Sequence, residues 1–172
     1  MYNKNYLYFK EINNLPIYTD LEEEFYNVHK LYQFDLSLNQ VCVNTTEPNS
    51  SNVKIGVGYL QNGLKEEDFK YIATPFVGTC FEELFNILKK NYNLGRLRIM
   101  ILRNRSVMSW HHDDTKRIHF PIKTREGCYM VIEDEVMHLK QNQWYLTDTK
   151  YTNHTAFNAT DIPRIHLVGC IQ

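Results

Sequence analysis

Two histidines and an aspartate in the second half of the chain, His111, Asp113 and His154, are the residue types that build a reactive metal centre. In an extended segment, residues two apart point to the same side, so His111 and Asp113 can approach one ion together. His154 must then arrive from a strand packed nearby. Two imidazoles and one carboxylate on one face of an octahedral Fe(II) leave three adjacent positions open, enough for a bidentate cosubstrate and O2. Ten residues beyond His154, Arg164 supplies a planar fork suited to a carboxylate, such as the far one of 2-oxoglutarate. Arg117 is a second candidate for that role. The overlapping pair His112 and Asp114 has the same spacing, and a one-residue shift turns both side chains to the opposite face.

The surrounding residues repeat the theme at strand period. Across Lys116 to Ile122, the residues Ile118, Phe120 and Ile122 form an apolar face, while Arg117, His119 and Pro121 share the other. Near the C-terminus, Ile165 and Leu167 oppose Arg164 and His166. His154, Ala156 and Asn158 fall on one face of a third segment. Any one such polar face fits a solvated strand. Their conjunction within one β-rich stretch, with apolar faces available to pack beneath helices, points to a shared cavity. His166 and Asn158 fit a structural role as well as a functional one. Trp110 suits either a pocket wall or a core, and His29 and His138 read as packed or exposed rather than liganding.

Taken together, Ser109-Trp110-His111-His112-Asp113, Arg117-Ile118-His119-Phe120-Pro121-Ile122, His154 to Asn158 and Arg164-Ile165-His166-Leu167 resemble the aspartyl/asparaginyl β-hydroxylase family, which includes cis-proline hydroxylases of free amino acids. The resemblance covers roughly Leu97 to the C-terminus. It implies a double-stranded β-helix, Fe(II) and 2-oxoglutarate with O2, and hydroxylation of an unactivated carbon with release of succinate and CO2. Carried onto this chain, it makes His111, Asp113 and His154 the iron ligands. Arg164 binds the distal carboxylate, and Arg117 with His119 lie around the cosubstrate. The Trp110-His-x-Asp frame favours His111 and Asp113 over His112 and Asp114. Asp113 makes the chain look more like the small amino-acid hydroxylases, since members acting on protein domains can lack the carboxylate ligand. Two other readings keep the pocket but not the reaction: a cupin-like metalloenzyme without 2-oxoglutarate, and a silent β-helix binding module.

The elements that must position these residues are legible in outline. From Leu97 onward, short β-branched or aromatic runs are separated by polar turns, about eight strands that suit a jelly roll. Thr19-Asp20-Leu21-Glu22 has the capping-box pattern, and Leu21, Phe25, Val28 and Tyr32 follow at helical spacing, which predicts a helix from about Asp20 to Tyr32. The signal recurs at Thr79 to Glu82, with Phe81, Leu84, Phe85, Leu88 and Tyr92 on one stripe and Gly95 as a stop. Gln40 to Asn44 and Lys54 to Leu60 read as strands, Leu64 to Ile72 as a short helix, and Glu47 to Asn52 as a loop. The expected class is mainly β with N-terminal α-helices (α+β). It forms one domain over residues 1–172, with a mixed layer over 1–96 supporting a cupin-like core over 97–172.

Bulk composition narrows the function classes. With 43% apolar and 13% aromatic residues the chain can bury a core. Its 19 basic against 20 acidic residues, without a long single-sign block, disfavour nucleic acid as partner. No run of about 18 apolar residues occurs, the polar start Met1 to Asn5 leads into no apolar leader, and the four cysteines form no C-x-x-C pair. The expectation is a cytoplasmic enzyme acting on a small amino-acid or peptide substrate, away from membranes.

Overall fold

The computed structural model describes residues 6–172; the polar start Met1 to Asn5 lies outside them. In chain order its strands are β1 (Phe9–Ile12), β2 (Gln40–Cys42), β3 (Asn44–Thr45), β4 (Tyr71–Ile72), β5 (Leu94–Leu102), β6 (Ser106–Val107), β7 (Lys116–Lys123), β8 (Cys128–Ile132), β9 (Glu135–Met137), β10 (Trp144–Thr147), β11 (His154–Asn158) and β12 (Arg164–Ile171). Helix α1 (Leu21–Tyr32) lies between β1 and β2, and α2 (Cys80–Asn91) precedes β5. Six strands form one sheet in the order β1-β10-β7-β12-β5-β2, and four form a second in the order β6-β11-β8-β9. All pairings in both are antiparallel. Eight strands from Leu94 onward thus make the jelly roll that the spacing predicts, two facing sheets rather than a closed barrel.

Strand alternation decides what each face of the large sheet meets. Leu97 and Ile99 of β5, Ile118, Phe120 and Ile122 of β7, and Ile165 and Leu167 of β12 face outward. They merge into one core with Leu21, Phe25 and Val28 of α1 and Phe81, Leu84, Phe85 and Leu88 of α2. Each helix therefore covers the sheet with the stripe its sequence shows. The opposite face of the sheet looks toward the four-stranded sheet and carries the polar residues.

Several local expectations are corrected. Helix α1 starts one residue later than the capping-box pattern implies, and Asp20 makes no side-chain cap; the Thr19 hydroxyl instead donates to Asp20 Oδ1. In α2 the cap forms, with Thr79 Oγ1 accepting from the Phe81 N–H. That helix ends at Asn91, and Gly95 is not its stop but a residue of β5. A Cβ at Gly95 would lie 2.6 Å from Glu66, so the glycine is there to let that carboxylate approach the backbone. Lys54 to Leu60 is a series of turns rather than a strand. Its Gly56 and Gly58 carbonyls turn to accept from Arg96 Nη1 at 2.8 and 2.7 Å, and Gly58 sits at φ +69°. The helix expected over Leu64 to Ile72 is a single 3-10 turn, Glu66–Asp68, followed by β4. The division at residues 96 and 97 cuts through β5 and leaves out β1 and β2, which are hydrogen-bonded into the same six-stranded sheet.

Candidate metal centre

His154 opens β11, and His111 lies opposite it in the connection between β6 and β7. The two exchange backbone hydrogen bonds, His111 N–H to His154 C=O at 3.1 Å and His154 N–H to His111 C=O at 2.8 Å. Asp113 is fixed two residues on, its N–H donating to Thr149 C=O and its C=O accepting from the Tyr151 N–H. His111 and Asp113 therefore do not share a regular strand, as the spacing implied, but sit on isolated bridges to His154 and Lys150. The effect on the side chains is the same: one ligating atom from each of His111, Asp113 and His154 lies within 4.8 Å of the other two. His112 and Asp114 turn outward and are exposed.

Hydrogen bonds on the far side of each ring fix which nitrogen is available. His111 Nδ1 lies 2.8 Å from the Ser109 carbonyl oxygen, and His154 Nδ1 lies 3.1 Å from that of Thr152. A carbonyl only accepts, so Nδ1 carries the hydrogen in both rings and Nε2 faces the centre. Asp113 Oδ1 pairs with Arg117 Nη2 at 2.7 Å, and Oδ2 lies 3.3 Å from His154 Nε2. Burial pushes the Asp113 carboxyl up, but the adjacent His154 ring and the Arg117 charge outweigh it and hold the group well below the usual carboxylate range. Asp113 is thus an ionised carboxylate at any ordinary pH.

The triad borders a cavity of about 280 Å³ between the sheets. Arg117, His119 and Arg164 are among the residues that line it. Arg117 is already engaged by Asp113 and by the Thr115 hydroxyl. Arg164 is 6% exposed, and its Nη2 donates to His166 Nδ1 at 3.0 Å. Burial lowers its pKa to about 10, and no carboxylate pairs with it among the described residues. Among the described residues, both ring nitrogens of the buried His119 and Nε2 of His166 have no partner. Burial, then the Arg164 charge, pushes both imidazoles well below their ordinary value, so both are neutral. Their rings meet edge to face at 5.8 Å. His166 therefore stands directly behind the wall of the site, against Arg164 and His119.

Other residues fall away from the chemistry. Asn158 fixes a turn, its amide donating to the carbonyls of Leu102, Arg103 and Ile162. Trp110 is exposed, His138 bonds the Cys128 carbonyl, and His29 packs between Phe25 and Phe34. Conversely, Arg96, Arg98 and Gln40 line the cavity without having been singled out. Their signal was present: Arg96, Arg98 and Met100 alternate with Leu97, Ile99 and Ile101, the same Arg-x-polar pattern as the later strands, but the strand begins at Leu94, ahead of the stretch read as core.

A sequence model of the aspartyl/asparaginyl β-hydroxylase family matches residues 57–171. The chain belongs to that family. The match spans the triad, α2 and every cavity strand but β2, and it places the site among hydroxylases. No curated protein matches the sequence significantly. Among solved structures, a 2OG-Fe(II) oxygenase family oxidoreductase from Burkholderia pseudomallei is 15% identical over 52% of this chain and 55% of its own, with a TM-score of 0.45. A cupin domain from Bordetella pertussis is 13% identical over 45% of this chain and 80% of its own, with a TM-score of 0.39. AerE from Microcystis aeruginosa is 17% identical over 45% of this chain, with a TM-score of 0.39; only 35% of AerE is spanned. Likenesses this low carry no weight for the chemistry, which rests on family membership and on the side chains themselves. No helix among the described residues is long and apolar enough to cross a membrane.

Proposed function

We propose that this family member is an Fe(II)/2-oxoglutarate-dependent dioxygenase that hydroxylates an aliphatic carbon of a free amino acid or of a peptide side chain. The observation that carries the reading is the convergence of two Nε2 atoms and one carboxylate at a cavity that also holds an unpaired buried arginine. Such a donor set suits ferrous iron and leaves coordination positions free. When bound, iron with 2-oxoglutarate and O2 supplies the oxidising power for an unactivated C–H bond, with succinate and CO2 released.

The residues of the chain have distinct tasks in this reading. The carbonyls of Ser109 and Thr152 orient the two imidazoles. Arg117 holds one oxygen of Asp113 and leaves the other turned toward His154. Arg164 offers its fork to the distal carboxylate of the cosubstrate, and its bond to His166 sets the plane of that fork. His119, neutral and without a partner among the described residues, can donate to a second carboxylate beside the metal position. Met100, Met108 and Met130 line the same space and keep water sparse around the reacting carbon. The free thiols Cys42, Cys128 and Cys170, all buried, suit a reducing cytoplasm. A small substrate fits the cavity better than a nucleic acid or a membrane surface.

The test is a turnover screen. Anaerobically purified protein is supplied with Fe(II), 2-oxoglutarate and air, and offered free amino acids and short peptides. The expected result is succinate in step with a product heavier by one oxygen atom, both dependent on iron. Absence of iron binding together with absence of 2-oxoglutarate turnover overturns the proposal.

A further inference from the structure

Four arginines line the cavity: Arg96, Arg98, Arg117 and Arg164. Two have carboxylate partners, Arg96 with Glu66 and Arg117 with Asp113, each at 2.7 Å. Arg164 is assigned above to the cosubstrate. Arg98 remains, on β5 and 5% exposed. Among the described residues its guanidinium meets only neutral groups: Gln40 Oε1 accepts from Nη1 at 3.0 Å and Cys170 Sγ from Nη2 at 3.7 Å, while Nε has no partner. A buried charge without a counterion is costly and is kept where something supplies the counterion.

The register places this charge at a distance from Arg164. Val168 of β12 lies opposite both Arg98 of β5 and His119 of β7, whereas Arg164 lies opposite Leu102. Four residues of strand, about 13 Å at the backbone, thus separate the rows of the two free guanidinium groups. Gln40 holds the Arg98 fork from the side, its Oε1 also accepting from the Gly58 N–H, and its amide N–H2 has no partner among the described residues. Gly58 and the 85% exposed Tyr59 stand at the same end of the cavity.

We propose that Arg98, oriented by Gln40, binds a carboxylate belonging to the substrate, so that the enzyme acts on molecules bearing their own carboxylate next to an apolar body. This rests on the reading above for the use of Arg164, but not for the existence of the Arg98 subsite. Acid and amide forms of one molecule should therefore differ sharply in affinity, because a carboxamide cannot neutralise the guanidinium.

The experiment is a calorimetric titration of the full chain, held anaerobically with Fe(II) and 2-oxoglutarate, with the twenty free L-amino acids and their carboxamides. At least one free acid is expected to bind about 10- to 100-fold more tightly than its carboxamide, and Arg98→Met to abolish that preference. The melting temperature of Arg98→Met should equal or exceed that of wild type, since an unpaired buried charge is removed; a purely structural arginine would instead leave the variant less stable. Arg98→Lys should retain part of the preference. Equal affinity for acids and amides, no binding by any acid, or an unchanged preference in Arg98→Met overturns the proposal. So does a loss in Arg98→Met of 2-oxoglutarate affinity alone, which would make Arg98 part of the cosubstrate clamp. Failure of the iron and 2-oxoglutarate reading shows itself separately, as absence of bound iron in the same samples.

Discussion

The two faces of β5, β7 and β12 are buried to nearly the same degree and are built on opposite principles. Outward, Leu97, Ile99, Ile118, Phe120, Ile165 and Leu167 are at most 0% exposed and pack beneath the helices. Inward, Arg96, Arg98, Arg117, His119, Arg164 and His166 are almost as inaccessible, at 0–7%. Of the seven buried side-chain atoms without a hydrogen-bond partner among the described residues, four belong to this inner row: Arg98 Nε, both nitrogens of His119, and His166 Nε2. The same strands thus stabilise the fold on one side and hold unsatisfied polar groups on the other. Stability and chemistry are separated by the two-residue period of a strand.

Adjacent residues of β7 sharpen this contrast most. Phe120→Ala, on the outer face, should cost about 3–5 kcal/mol of stability, read from chemical denaturation, while the folded fraction keeps its iron affinity. His119→Leu, one residue away on the inner face, should leave stability within about 1 kcal/mol of wild type and lower turnover instead. If His119→Leu destabilises as Phe120→Ala does, the two faces are not functionally distinct. Next in size, Arg164→Met should raise the KM for 2-oxoglutarate by about 10- to 100-fold without lowering the melting temperature. Unchanged KM would favour a cupin-like metalloenzyme that does without this cosubstrate.

A smaller effect follows from the buried imidazoles. Burial, then the Arg164 charge, depresses His166 and His119 below the ordinary value near 6.5. The folded state then holds them neutral while the unfolded chain protonates them. Their contribution to stability is complete above about pH 6.5 and is lost as pH falls below it, by up to about 1.4 kcal/mol per pH unit for each ring. A melting-temperature profile between pH 7.5 and 5 should flatten in His166→Leu. A variant profile parallel to wild type would show that the rings titrate alike in both states.

Period and type were enough to read the outer face and the inner polar residues from Lys116 onward, because alternation along β7 and β12 is uninterrupted. The N-terminal half was harder for identifiable reasons. Lys54 to Leu60 has strand-forming residues, yet Arg96 draws the Gly56 and Gly58 carbonyls to itself and bends the segment into turns. Glu66 is likewise pulled from a helix to the Arg96 guanidinium and N–H. Gly95 resembles a helix stop but serves a close approach to Glu66. All three deviations trace to one buried ion pair between residues thirty positions apart, which no local pattern encodes. The polar face that carries Arg98 is harder to read for a different reason, since its alternation partner Arg96 precedes the stretch read as strand from Leu97.

Iron binding under anaerobic equilibrium dialysis addresses the centre itself. One Fe(II) per wild-type chain is expected, retained in Asp114→Ala and weakened by about 100-fold or more in Asp113→Ala, since removal of a direct ligand should cost at least what loss of a supporting hydrogen bond does. A wild-type chain that binds no iron, or an Asp113→Ala chain that binds it as wild type does, would contradict the convergence of His111, Asp113 and His154 on a metal.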